Sequence, residues 1–145
     1  MEMSSADIDE SAKLFKMAYG EESQWDREPS ISATLDSPSP FPMLVARDSF
    51  GKLVGYSTGF YLVGHQIARS EGVLRALFAE SSRLHHEKGL PFPRFHCPLE
   101  YAGIMTWASG VGLTVMRVTI LMAKGPYDHA WPDNGYVALP GIDGW

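Results

Sequence analysis

A single α/β domain, built on one mixed and mostly antiparallel central sheet with helices on both faces, is what this sequence predicts. Three observations carry that expectation. Apolar residues recur at helical spacing in some segments and alternate in others, in the order helix, helix, three strands, helix, strand, helix, strand, tail. The 145 residues with 45% hydrophobic content are enough for one core of ordinary size and few for two independent domains. No internal repeat breaks that order.

The first segment, "SSADIDESAKLFKMAYG", opens with Ser and Asp as cap candidates, sets Ile8, Ala12, Phe15 and Tyr19 on one face and closes on Gly20, which predicts a helix. A short second helix is expected around Pro29 to Leu35, before "DSPSPFP" halts regular structure. The stretch from Met43 to Val63 then reads as a meander. Its strands are Met43 to Arg47, Leu53 to Ser57 and Phe60 to Val63, separated by "DSFG" and a "TG" corner.

From Ser70 to Lys88 the residues Val73, Leu74, Leu77, Phe78, Ser81 and Leu84 form one stripe, and Gly89 follows as a stop. This is the strongest helix signal in the chain. "PFPRFHCP" suits a brief strand between prolines, and "LEYAGIMTWASG" suits a helix with Gly103 as a defect. "LTVMRVTILMAKG" is rich in β-branched residues and predicts a strand. In the tail, "NG" before "YVAL" predicts a tight turn into a last strand.

Composition narrows the function classes. A formal net charge of -5, with twelve Lys and Arg scattered along the chain, argues against a nucleic-acid partner held by bulk electrostatics. No segment approaches eighteen consecutive apolar residues and "MEMSSADIDE" lacks the basic and apolar regions of a signal peptide, so neither membrane nor export is expected. The single cysteine, Cys97, excludes an internal disulfide framework and a cysteine-only zinc site. His85, His86, His96 and Cys97 lack the spacing that converges on one ion, so no metal is expected. Cys97 in "RFHCP" reads as a small buried hydrophobe rather than a nucleophile.

"GKLVG", followed by Arg69-Ser70-Glu71-Gly72-Val73-Leu74 opening the long helix, resembles the GNAT superfamily of N-acetyltransferases. Leu77, Gly89, Ala102, Gly110 and the "MAK" ending of the β-rich segment fall at family-like distances, so the resemblance spans about Leu44 to Lys124. It implies a GNAT-like domain over residues 1–124 and an aromatic, Gly- and Pro-rich tail over 125–145. It also implies acetyl-CoA as the cofactor of an active member. The pyrophosphate would lie on backbone amides of a Q/R-x-x-G-x-G/A loop at a helix N-terminus, where the dipole attracts anions. Carried onto this chain, the cofactor contacts would be Arg69, Gly72, Val73, Leu74 and Arg75.

The departures from the family bear on activity. Leu74 stands at the second-glycine position, where a side chain would crowd the pyrophosphate, and Leu99 and Thr106 replace the family's usual Asn and its proton-donating Tyr. A second register, with "GVLRALFAESSR" as a strand and Arg83 as the loop arginine, also fits the spacing but conflicts with that segment's helix-forming composition.

An active member needs a base for the amine and often an acid for the thiolate. Glu71 and His65 are the candidate bases and Tyr101 the candidate acid; each also has an ordinary structural reading, as a first-turn acid, a turn residue and a packing residue. The expected function is a degenerate GNAT-fold protein that is weakly catalytic or non-catalytic and serves binding or assembly. It loosely resembles GNAT-like proteins of tailed bacteriophages, some of which are virion components. The alternative is an active acyl-CoA-dependent N-acetyltransferase acting on a small-molecule or protein amine. The aromatic tail, with Tyr127, Trp131, Tyr136 and Trp145, points to a protein partner or a homo-oligomer. The expected location is the cytoplasm, or a virion if the chain is phage-encoded.

Overall fold

The computed structural model describes residues 1–20, 26–37, 39–61, 63–118, 132 and 135–140. Its N-terminal helix begins as a 3-10 turn, Ser5–Asp7, and continues as α1, Ile8–Tyr19. The entry is fixed by bonds between Ser4 and Asp7: the Ser4 N–H and hydroxyl donate to Asp7 Oδ2 at 2.8 and 2.7 Å, and the Asp7 N–H donates to the Ser4 carbonyl at 3.0 Å. Asp7 is itself buried and paired with the Arg47 guanidinium at 2.7 Å. Burial pushes the Asp7 carboxyl up, but the bonds from Ser4 and Arg47 outweigh it and hold the group below its ordinary value. Gly20, at φ 91°, ends α1 in a conformation that suits glycine.

The helix α2, Glu28–Asp36, carries Pro29 in its first turn, where the missing N–H is harmless. Four strands follow among the described residues: β1 Leu44–Arg47, β2 Leu53–Ser57, β3 Gln66–Ala68 and β4 Val137–Leu139. They form one sheet in the order β1-β2-β3-β4, antiparallel at every pairing. The β1–β2 turn is held by Asp48 Oδ1, which accepts from the N–H groups of Phe50 and Lys52.

Alternation along the strands sorts the core into two layers. Val45, Tyr56, Ile67 and Ala138 pack with Leu14, Phe15 and Ile31 under α1 and α2. Leu44, Ala68, Val137 and Leu139 face the other way. There they meet Leu74, Leu77 and Phe78 of α3, Glu71–Glu87, and Ile104 of α4, Ala102–Gly110. Gly55 lies where α3 comes closest to the sheet: a Cβ there would stand 2.6 Å from Val73 Cγ1 and 3.3 Å from the Ile67 carbonyl.

Three strand expectations are corrected. Phe60 to Val63 is no strand over its described residues. Gly59, at φ 122°, turns the chain, Phe60 drops into the α3 layer with no exposure, and the pairing resumes at Gln66. Residues 91–98 form no strand either; Phe95 and Cys97 pack against the α3 layer instead. Of the β-branched segment from Leu113 to Lys124, residues 113–118 are not in a strand, and Val115, Met116 and Val118 are exposed. Residues 119–124 lie outside the described ones. Propensity alone does not make a strand without a partner edge. The second register also falls, since Gly72 to Arg83 is helix, and Arg83 bonds to Glu80 and Glu87 along the helix surface.

Among the described residues no helix is long and apolar enough to cross a membrane. Tyr136 is described and packs against the α1–α2 layer, whereas Tyr127, Trp131 and Trp145 lie outside the described residues.

Candidate functional site

The junction from β3 into α3 is where the sequence places its anion loop. Arg69 continues the strand, its N–H bonding the Val54 carbonyl at 2.9 Å while its guanidinium stands 5.9 Å from the Tyr136 ring centre. Ser70 is extended and caps α3: its hydroxyl accepts the Val73 N–H at 3.3 Å and its carbonyl accepts the Leu74 N–H at 3.1 Å. These two amides are therefore used within the cap. Gly72 is exposed, and a Cβ there would meet only the Ser70 hydroxyl at 3.7 Å, so no close backbone approach requires glycine. Leu74 does not project into a loop floor as its position in the motif implies. Its side chain is 1% exposed and packs in the α3 layer, because the helix turns this position toward the sheet.

Glu71 and Arg75 lie one helical turn apart and pair at 2.7 Å, with the Arg75 guanidinium 5.5 Å from the Trp107 ring centre on α4. The Glu71 carboxylate lies against Gly103 in the first turn of α4, so closely that a Cβ there would overlap it, with Oε2 at 2.9 Å. Gly103, which reads in sequence as a helix defect, thus makes room for an acid at a helix start. Tyr101 immediately precedes α4, and its hydroxyl accepts the Ala138 N–H of β4 at 3.2 Å. Burial, with Cys97 and Glu100 nearby, raises the Tyr101 phenol despite that bond. Burial, and then the charges of Glu71 and Glu100, push the Cys97 thiol up to about 11, so it is no thiolate at neutral pH.

His65 lies elsewhere, on the α1–α2 side. Its Nε2 faces the Tyr56 hydroxyl at 3.1 Å, its Nδ1 faces Thr58 Oγ1 at 3.2 Å, and its own N–H donates to Thr58 Oγ1 at 2.9 Å. One assignment satisfies the group: Tyr56 donates to Nε2, Nδ1–H donates to Thr58, and Thr58 donates to the His65 carbonyl at 3.4 Å. Burial, followed by the nearby charge of Arg27, lowers the imidazole to about 3. At neutral pH this histidine is a neutral structural group and a poor proton acceptor.

The fold therefore gathers Glu71, Arg75 and Tyr101 around the start of α4 and keeps His65 apart from them. Two cavities among the described residues lie away from Ser70 to Leu74. One of about 190 Å³ lies among Glu2, Thr34, Leu35, Phe41, Met43 and Lys88; another of about 70 Å³ lies beside His65. Sequence reasoning missed Tyr56 and Thr58, the hydrogen-bond partners of His65, and Arg27, whose charge acts on it. Arg27 is distant from the motif, and only the strand pairing brings Tyr56 and Thr58 to His65. Among the described residues no three His, Cys, Asp or Glu side chains converge on one point. No protein-family model matches the chain, and no curated protein or solved structure matches it.

Proposed function

We propose that this chain is a GNAT-like domain that does not transfer acyl groups and serves as a binding or assembly module. One observation carries the reading: each candidate catalytic group is already engaged by another group of the fold. Glu71 is bound to Arg75 and packed on Gly103, Tyr101 receives the Ala138 N–H, and His65 is buried, neutral and bonded through both ring nitrogens. A general base needs a free lone pair within reach of the proton it takes. The cap that uses the Val73 and Leu74 amides supports the same reading, since these donors are bonded to Ser70 where the family's loop would leave them to a pyrophosphate.

The test is calorimetric titration with acetyl-CoA. No heat and no thermal shift at millimolar ligand are expected. Binding with a micromolar Kd would overturn the proposal and favour an active N-acetyltransferase with a divergent loop. Sedimentation of the purified chain checks the assembly role, which fails if the chain stays monomeric and captures no partner from its native source.

A further inference from the structure

The cavity of about 190 Å³ joins parts of the chain that are far apart in sequence. Met3 and Met43, both buried, give it an apolar lining together with the half-buried Leu35 and Phe41. Its charged members are Glu2 and Lys88, whose ammonium group donates to Glu2 Oε1 at 2.6 Å, and both side chains are about half exposed. The backbones that carry them are firmly placed. Around Glu2, the Met3 N–H bonds the Met43 carbonyl at 2.8 Å and the Val45 N–H bonds the Met1 carbonyl at 3.0 Å; the Lys88 N–H closes α3 on the Leu84 carbonyl at 2.9 Å.

Two hydroxyls line the same space. That of Thr34 donates to the Ser30 carbonyl at 2.8 Å and keeps lone pairs that can accept, whereas that of Ser39 accepts the Phe41 N–H at 3.3 Å and keeps a proton that it can donate. The helix α2 ends here with Thr34 and Leu35 and carries no basic residue in its last turn, so its C-terminal end favours a cation. A space of about 190 Å³ far exceeds the roughly 10–15 Å³ that one water needs, and falls short of the roughly 300 Å³ at which pockets for drug-sized molecules begin. It suits one small molecule that is apolar at one end and carries both signs of charge at the other.

We propose that the cavity between the ends of α2 and α3 binds a free α-amino acid with an apolar side chain. The ligand's ammonium group pairs with Glu2 at the end of α2, and its carboxylate pairs with Lys88 and the Ser39 hydroxyl. Its side chain lies against Met3, Leu35, Phe41 and Met43. Glu2 and Lys88 thereby exchange one another for the two charged ends of the ligand. An exposed ion pair contributes little to stability, so the exchange costs little, and each new contact is a charge-assisted hydrogen bond. Methionine side chains adapt to occupants of different shape, so the site reads the zwitterion more strictly than the side chain. It shares no residue with the β3–α3 junction and does not rest on the acyltransferase resemblance.

Titration of the folded chain with L-leucine at constant ionic strength tests this, read by the amide NMR signals of Thr34, Ser39, Phe41 and Lys88. Saturable shifts at millimolar Kd or tighter are expected. N-acetyl-leucine, which lacks the ammonium group, and leucinamide, which lacks the carboxylate, should each bind at least tenfold more weakly, as should glycine, which lacks the side chain. Glu2→Gln and Lys88→Gln, both at exposed positions where the fold tolerates them, should each weaken leucine binding at least tenfold. Absence of saturable shifts overturns the proposal, as does undiminished leucine binding by either variant. Equal binding of leucine and both blocked forms overturns it as well, because the cavity would then recognise an apolar group without its charges.

Discussion

Replacing His65 by glutamine should flatten the acid side of the stability profile. The folded imidazole is held at about 3 by burial, against the ordinary 6.5 that applies when the chain is unfolded. The unfolded state therefore binds the extra proton first, so this contribution is fully present above pH 6.5 and is lost as pH falls toward 3. At pH 7 the difference is near zero. At pH 5 the unfolded histidine is almost wholly protonated and the folded one is not, and 1.5 of the pH units below 6.5, at about 1.4 kcal/mol each, give about 2 kcal/mol of lost stability. Urea unfolding at pH 7 and pH 5, on the parent and on His65→Gln, measures this as a difference of differences, in which carboxylates and the other histidines cancel. The parent should lose about 2 kcal/mol more than the variant. Equal losses, within about 0.5 kcal/mol, would refute the burial argument for His65.

Other outcomes follow from packing. Gly55→Ala forces Val73 away from a Cβ at 2.6 Å and should cost about 1–3 kcal/mol in urea unfolding, with Val73→Ala relieving part of the loss in the double variant. Gly59→Ala meets both a φ of 122° and the Tyr61 ring at 2.5 Å, and should lower the thermal midpoint by an amount corresponding to about 1–3 kcal/mol. Leu74→Gly removes a core side chain and adds a helix glycine, an effect on the order of 3–6 kcal/mol. It should gain no affinity for CoA by calorimetry; a gain would mean that Leu74 closes a loop after all.

Legibility in the sequence followed how local each signal was. The helix α3 was readable because its stripe, its Ser70 cap and its Gly89 stop all lie within one stretch of chain. The last strand was readable for the same reason, from Gly135 ahead of Val137–Leu139. The third strand was misplaced by a few residues because Phe60 and Tyr61 have strand-forming side chains, while Gly59 and Gly64 fold that stretch back on itself. Glu71 and Arg75 lie beside α4 and Tyr101 just ahead of it, and no local signal revealed that Gly103 and β4 engage two of the three.

The sequence by itself determined the α/β class, the order of the helices, the ends of α1 and α3, the first two strands and the last. Caps, periodicity and left-handed glycines act within about a turn of the backbone, so no distant residue is needed to read them. Only the tertiary structure decided which face Leu74 presents, that His65 remains neutral and that the charge of Arg27 bears on it. These depend on burial and on charges brought together by strand pairing and helix docking, and desolvation is a property of the assembled surroundings rather than of any one residue.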